Sequence, residues 1–559
     1  ATNTSQNKMS SLSGGDMTEG RAEEIAEAMP YDVLRTYVLP AVRCPLTDNL
    51  ILKAVQFYFS ADPRLKNSVL QRFGEIENWD VSHVTDMGGL FRNAFVNTFI
   101  DPRHFNPPLN NWNVSNVKNM QSMFSGAGCF NQPLDNWDVS NVKNMSYMFQ
   151  NATSFNQPLD DWDVSNVTDM EEMFSGAGCF NQPLDDWDVS NVKDMRRMFF
   201  INAARYADGT WREPDDGPAS SFNQPLNNWD VSKVTKMESM FSGAGCFNQP
   251  LDHWDVSNVK NMSGMFYNAS SFNQPLNNWD VSKVTKMEEM FRYAESFNQP
   301  LTDWDVANVS TMECMFYRAI SFNQSLNNWD VSKVRIMQEM FMYATSFNQP
   351  LNNWDVANVS TMDCMFYNAT SFNQPLNNWD VSKVTDIRCM FKGAISFNQP
   401  LNNWDVSKVT DMRIMFAYAK SFNQSLNNWD VSNVTHMQYM FRKAKSFDQP
   451  LNNWDVAKVT HMKFMFSGAT SFNQPLNNWD VSNVKNMKGM FVGATSFNQP
   501  LNNWNLFYRS ISLNQSLKTW NVQDLEDEDG DHDISRTDSD YYDTDSDYDS
   551  DRSDDYWET

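Results

Sequence analysis

Hydrophobic residues return along most of this chain with a period of 25. Counted from each tryptophan, the apolar positions are Val at +2 and +5, Met at +8 and +11, Phe at +12, Ala at +15, Phe at +18 and Leu at +22. The tryptophans stand at 79, 112, 137, 162, 187 and 229, and then at every twenty-fifth residue from 254 to 504. A unit this short cannot bury its apolar side alone, so successive units must stack into a solenoid. Within a unit, Trp-Asp-Val alternates like a strand, +5 to +15 follow helical spacing, and Pro at +21 with the Asn pair before Trp marks turns. The expected fold is an α/β solenoid, a right-handed, leucine-rich-repeat-like coil of about 17 rungs. Each rung would hold a short parallel strand, a helical turn and a return segment. At the spacing of β-strands the body would be about 80 Å long.

The period also divides the chain. Residues 1–19 are rich in Ser, Gly, Asn and Thr and read as a disordered N-terminus. Residues 20–75 read as a helical cap over the first rung. Asp62-Pro63 opens a helix bearing Leu65, Val69 and Phe73, and Thr47 or Asp48 opens an earlier one bearing Ile51, Ala54, Val55 and Tyr58. Residues 76–504 form the solenoid, with insertions near 95–104 and 204–220 that leave the coil at the same corner, between +15 and +18. Residues 505–522 keep the return and strand of a unit but lack most of its middle, as a truncated capping rung would. Residues 523–559 read as a disordered acidic tail.

Composition then becomes simple. Thirty of the 34 methionines sit at +8 or +11, so they are stacked core ladders and not a soft-metal site. No apolar run reaches the length of a membrane-spanning helix, and the first residues lack the basic and apolar regions of a secretory signal. The net charge is −26, and 17 acidic against 2 basic side chains fall in the tail. That balance argues against nucleic-acid binding. The seven cysteines do not pair into a framework. Cys129, Cys179 and Cys246 share +17 two rungs apart, beyond disulfide reach, whereas Cys364 and Cys389 share +10 on adjacent rungs. This usage favours a reducing site of synthesis.

The repeated polar positions read as structural. The aspartate after each Trp forms a carboxylate column that a calcium ion could use. Asn113 and Asn505 keep only the oxygen there, which points instead to an Asx turn. Lysines at +4, such as Lys233 and Lys283, would offset the like charges. The Phe-Asn-Gln and Asn-Asn columns fit amides bonding from rung to rung. A column repeated in every rung offers no unique catalytic constellation, so no enzymatic activity, cofactor or metal is expected, and His436 and His461 at +7 do not complete a zinc site. Fourteen Asn-x-Ser/Thr sequons, including those at Asn151, Asn268 and Asn368, follow from a composition rich in those residues. Candidate interaction residues are Tyr206, Trp211 and Arg212 in the longer insertion. Candidate phosphorylation sites are Thr537, Thr544 and Ser546, each with an acidic residue three positions on. The tail would serve as a solvating segment or dock on a basic protein surface.

The unit W-D-V-S-x-V-x-x-M-x-x-M-F-x-x-A-x-x-F-N-Q-x-L resembles the BspA-like leucine-rich-repeat family of surface proteins over about 440 residues. The resemblance implies a non-enzymatic structural or adhesive protein on a virion or cell surface that contacts a protein or glycan partner. Bacterial members carry a lipobox or cell-wall sorting signal, which is not seen here. Blocked ends predict a monomer or a lateral oligomer. An alternative reading starts from M-P-Y-D-V-L-R-T-Y-V-L-P-A-V at residues 29–42, which looks like the opening helix of an F-box. It implies a cytoplasmic substrate adaptor for a ubiquitin ligase, with Pro30 and Leu34 in its contact.

Overall fold

The computed structural model describes residues 45–92, 105–201, 220–501 and Trp504. It is a stack of repeating rungs whose apolar columns are all turned inward. Met120, Met123, Phe124, Ala127 and Phe130 are 0 % exposed, and the same positions are closed rung after rung. The aromatic columns stack in parallel. Trp137 and Trp162 lie 6.4 Å apart at 2°, Phe124 and Phe149 5.4 Å apart at 1°, and Phe149 crosses to Phe155 at 4.1 Å. From Trp137 to Trp504 each indole N–H donates to a leucine carbonyl of the previous rung, as Trp304 does to Leu276 at 2.9 Å. Each tryptophan thereby satisfies a buried acceptor while filling the core. The 42-residue step across the longer insertion does not disturb the ladder, since Trp187 and Trp229 stack at 6.5 Å and 2°.

The interior of a rung differs from the strand-plus-helical-turn expectation. Among the described residues, helices are confined to 48–78, and β pairing is reduced to single-residue parallel bridges at +7, such as Asn119 to Asn144. From +8 to +15 the chain makes overlapping β-turns. Met123 N–H bonds Met120 O at 3.2 Å, Ser125 bonds Ser122 at 3.2 Å, and Ala127 bonds Phe124 at 3.0 Å. The intervening amides point along the stack instead. Met120, Ser122, Phe124 and Gly126 donate to Asn144, Ser146, Met148 and Gln150 of the next rung at 2.7–2.9 Å. Alternate N–H groups thus serve the turn and the ladder, and none is left for a helix.

This arrangement requires positive φ at the third residue of two turns, +10 and +14. Every positive-φ non-glycine among the described residues falls at one of these two positions. Ile414 is the most strained of them, a β-branched residue at φ 65°. Asparagine tolerates that conformation, so Ile414→Asn is expected to raise stability by about 1 kcal/mol, read as an upward shift of the melting temperature.

The N-terminal end is closed by helices α1 (Asp48–Tyr58) and α2 (Pro63–Phe73) and a 3₁₀ turn at Ile76–Asn78. Asp62 caps α2 by accepting from Arg64 N–H, with Pro63 at the first helical position. Thr47 precedes α1 without a side-chain cap, and Ile51, Ala54 and Val55 are its buried side. The Asp48 carboxylate accepts from Thr85 N–H and Oγ1, both at 2.7 Å, and from Asp86 N–H at 3.0 Å. In inner rungs the +6 amide bonds the rung before it, as Lys143 does to Lys118. Asp48 therefore substitutes for a missing rung. Gly74 O likewise takes the Trp79 indole N–H at 3.1 Å, and Tyr58 and Phe73 pack on that ring. The F-box-like segment, the two insertions apart from Ser220, the truncated rung and both termini lie outside the described residues.

Candidate interaction face

The framework columns barely change along the chain, but the positions between them do. Because +8, +11, +12 and +15 turn inward, residues +7, +9, +10, +13 and +14 form one outward face. At +10 alone the sequence reads Ser122, Tyr147, Glu172, Arg197, Ser239, Gly264, Glu289 and Cys314 in successive rungs. This variable face falls into three stretches of different chemistry.

Toward the N-terminal side it is acidic. Asp169, Glu171 and Asp194 bring carboxylate oxygens within 4.8 Å of one another. Arg196 holds Asp194 at 2.9 Å and Glu171 at 3.0 Å, and Lys236 holds Asp194 at 2.9 Å. Burial pushes the Glu171 carboxyl up. Burial acts the same way on Asp194, but the bonds from Arg196 and Lys236 outweigh it and hold that carboxyl below its usual value. The cluster is thus an ion-pair network already filled by its own cations.

The middle stretch is aromatic. Cys314, Tyr317, Met342 and Tyr367 form a small apolar cluster of their own, with Tyr293, Tyr343, Cys364 and Cys389 packed against it. Arg292 lies 4.4 Å from the Tyr317 ring centre and 5.4 Å from that of Tyr293. Burial, and then Glu339 at 3.4 Å, push the Cys314 thiol up. Cys364 and Cys389 meet across adjacent rungs as their shared position requires. The hydrogen bond between them raises the Cys364 thiol and lowers that of Cys389.

The last five rungs, from Trp379 onward, are cationic. Arg388, Lys392, Arg413, Arg442, Lys443, Lys463 and Lys488 stand on the face against Asp386 and Asp411. Both carboxylates are already paired, with Arg388 at 2.8 Å and Arg413 at 2.7 Å. Arg442 covers the rings of Tyr418 and Tyr439, and its Nε is buried without a hydrogen-bond partner. His436 and His461 stack at 5.2 Å, each with its Nδ1 beside the hydroxyl of the preceding threonine. Burial lowers the His436 pKa.

The repeated polar columns are structural. Asp280 Oδ1 accepts from Ser282 N–H at 3.0 Å, the Asx turn that the asparagines at this position suggest. Lys283 and Lys333 do more than offset charge, since each bonds the +4 asparagine of the preceding rung at 2.7–2.9 Å. Asn298 Oδ1 accepts from Asn323 N–H and Gln324 Nε2, and the same pair of bonds recurs along the stack. Bonds from serine hold Asp230, Asp280, Asp330, Asp380 and Asp430 below the usual carboxylate range. A depressed carboxylate stabilises the fold above its unfolded pKa, about 3.9, and that contribution is lost as pH falls through the lower folded value. Changing these five residues to Asn is expected to remove that contribution, so that neutral stability drops toward its value in acid and the further loss below about pH 4 flattens. Thermal melts at stepped pH test this.

Tyr206, Trp211 and Arg212, and the residues Thr537, Thr544 and Ser546, lie outside the described residues. The variable face was missed in the sequence because +5 to +15 read as a helix, which would scatter these positions around its surface. The usable signal was the contrast between changing and unchanging columns within this one chain. No curated protein matches the chain. A family model does, in repeated stretches: residues 65–159, 93–210, 217–304, 286–404, 348–451, 421–508 and 458–532. The matches tile the solenoid, and the chain belongs to the family described as "Mycoplasma protein of unknown function, DUF285".

Proposed function

We propose that this chain is a non-enzymatic repeat protein of BspA-like type, structural or adhesive, that holds a protein or glycan partner on its variable face at a virion or cell surface. The observation that supports this is the division of labour within the rung. Core, indole and amide columns stay constant, and only the outward face changes, with tyrosine and arginine prominent in its middle. Those side chains carry much of the energy of protein interfaces, because they offer large contact area with few rotors. The repeated carboxylates and amides are committed to turns and rung-to-rung bonds, so they are not poised for acid–base work. Asp48 ties the N-terminal helices to the first rung, which favours a cap over an adaptor-recruiting module.

The test is binding of the full chain to arrays of glycans and of surface-protein ectodomains, with immunogold labelling of cells and particles. Tyr293→Ala with Arg318→Ala should weaken a captured partner at least tenfold, while Asn353→Ser and Asn403→Ser on another side should not. A partner that binds equally well to both variants would sink the reading.

A further inference from the structure

The charge on the variable face runs against that of the molecule. The chain carries −26 overall, yet the face of its last five rungs holds, besides Lys392, which is buried with its ammonium on the Tyr367 hydroxyl, six cations against two carboxylates. Those two are already neutralised by their own arginines. Arg442 and Lys443 are backed by the rings of Tyr418 and Tyr439, which hold them in place. Lys488 is exposed, and Lys420 and Lys445 are exposed beside the face. Immediately after the solenoid the sequence becomes the segment 524–559, in which aspartates alternate with serine and tyrosine.

We propose that this acidic segment is an internal ligand of the chain, lying on the cationic face of the rungs that begin at Trp379 to Trp479. The proposal rests on reading the variable face as a binding surface and names the occupant of one end of it. Charge complementarity selects that end, because the acidic and aromatic stretches nearer the N-terminus offer no surplus of cations. Reach agrees as well. Tyr548 is 26 residues beyond residue 522, the end of the truncated rung. A flexible chain of that length spans about 28 Å root-mean-square. Five rungs occupy about 24 Å at the spacing of stacked strands. Tethering supplies an effective concentration in the millimolar range, so contacts too weak to hold a separate peptide suffice.

The test uses the full chain with a photoreactive benzoylphenylalanine in place of Tyr548, irradiated at low protein concentration and mapped by mass spectrometry. Mixing isotopically light and heavy chains separates links within a chain from links between chains. The expected result is intrachain links to peptides spanning residues 413–488. They should fall at least fivefold in 0.5 M salt and in a Lys443→Glu, Lys488→Glu variant whose melting temperature is unchanged. No links, links scattered over all rungs, links insensitive to salt and to the variant, or links only between chains would each overturn the proposal. If the links fail while Tyr293 and Arg318 still govern capture of an outside partner, the internal ligand is wrong and the binding face stands.

Discussion

Replacing Trp304 with alanine is expected to split the solenoid into two units that melt separately. The indole is 3 % exposed, stacks on Trp329 at 6.3 Å and meets Phe291 at 6.2 Å. Its removal leaves a large cavity, which in protein cores costs about 3–5 kcal/mol. It also strands the buried Leu276 carbonyl, a further penalty of about 1–3 kcal/mol. Each rung touches only its neighbours, so the loss cannot be spread over the molecule, and a stacked array loses cooperativity at its weakest junction. Calorimetry should show one transition become two, and hydrogen exchange should quicken first between about residues 279 and 329. Trp304→Phe restores most of the volume but not the donor and should recover about half the loss. A single unshifted transition in Trp304→Ala would show that the indole column is not what joins the rungs.

Deleting residues 1–74 is expected to convert a well-dispersed protein into an aggregating one. Those residues include α1, α2 and Asp48, which cover Trp79 and take up the first rung's amides. Without them an apolar surface and a row of unpaired backbone groups face water, the condition under which sheet edges and solenoid ends associate. At the opposite end the core is already looser. Met487, Phe491 and Leu501 are 8 % exposed, where their counterparts in the middle rungs are 0 %. Removing residues 505–559 as well should leave two complementary ends and give filaments with a repeat of about 4.8 Å passing through the junctions between molecules. Light scattering and negative-stain imaging decide the matter. A truncated chain that stays monodisperse with an unchanged melting temperature would mean that the helices do not act as a cap. Full-length chains should remain monomeric or associate sideways.

The N-terminal helices illustrate what was legible without coordinates. Asp62-Pro63 starts α2, and the apolar spacing of Ile51, Ala54 and Val55 gives the buried side of α1, because capping and amphipathic spacing are local properties. That Asp48 would leave its own helix to cap Thr85 and Asp86, 37 and 38 residues away, is a tertiary contact with no local trace.

The sequence by itself determined the period, the identity of every core column, the aspartate turns and the amide ladder. These follow from which residues repeat and from the few ways that apolar and amide groups can be satisfied in a stack. Tertiary structure alone decided the conformation inside the rung. The spacing of Met120, Met123, Phe124 and Ala127 suits a helix as well as it suits overlapping turns. What separates the two is where alternate N–H groups go, and here the neighbouring rung takes them. Ladder bonds repeated along the stack hold residues such as Tyr147, Glu172 and Ile414 at positive φ, which their own preferences oppose. Once those backbones are fixed, the positions between the core columns line up on one side, and the variable face exists only as a consequence of that stacking.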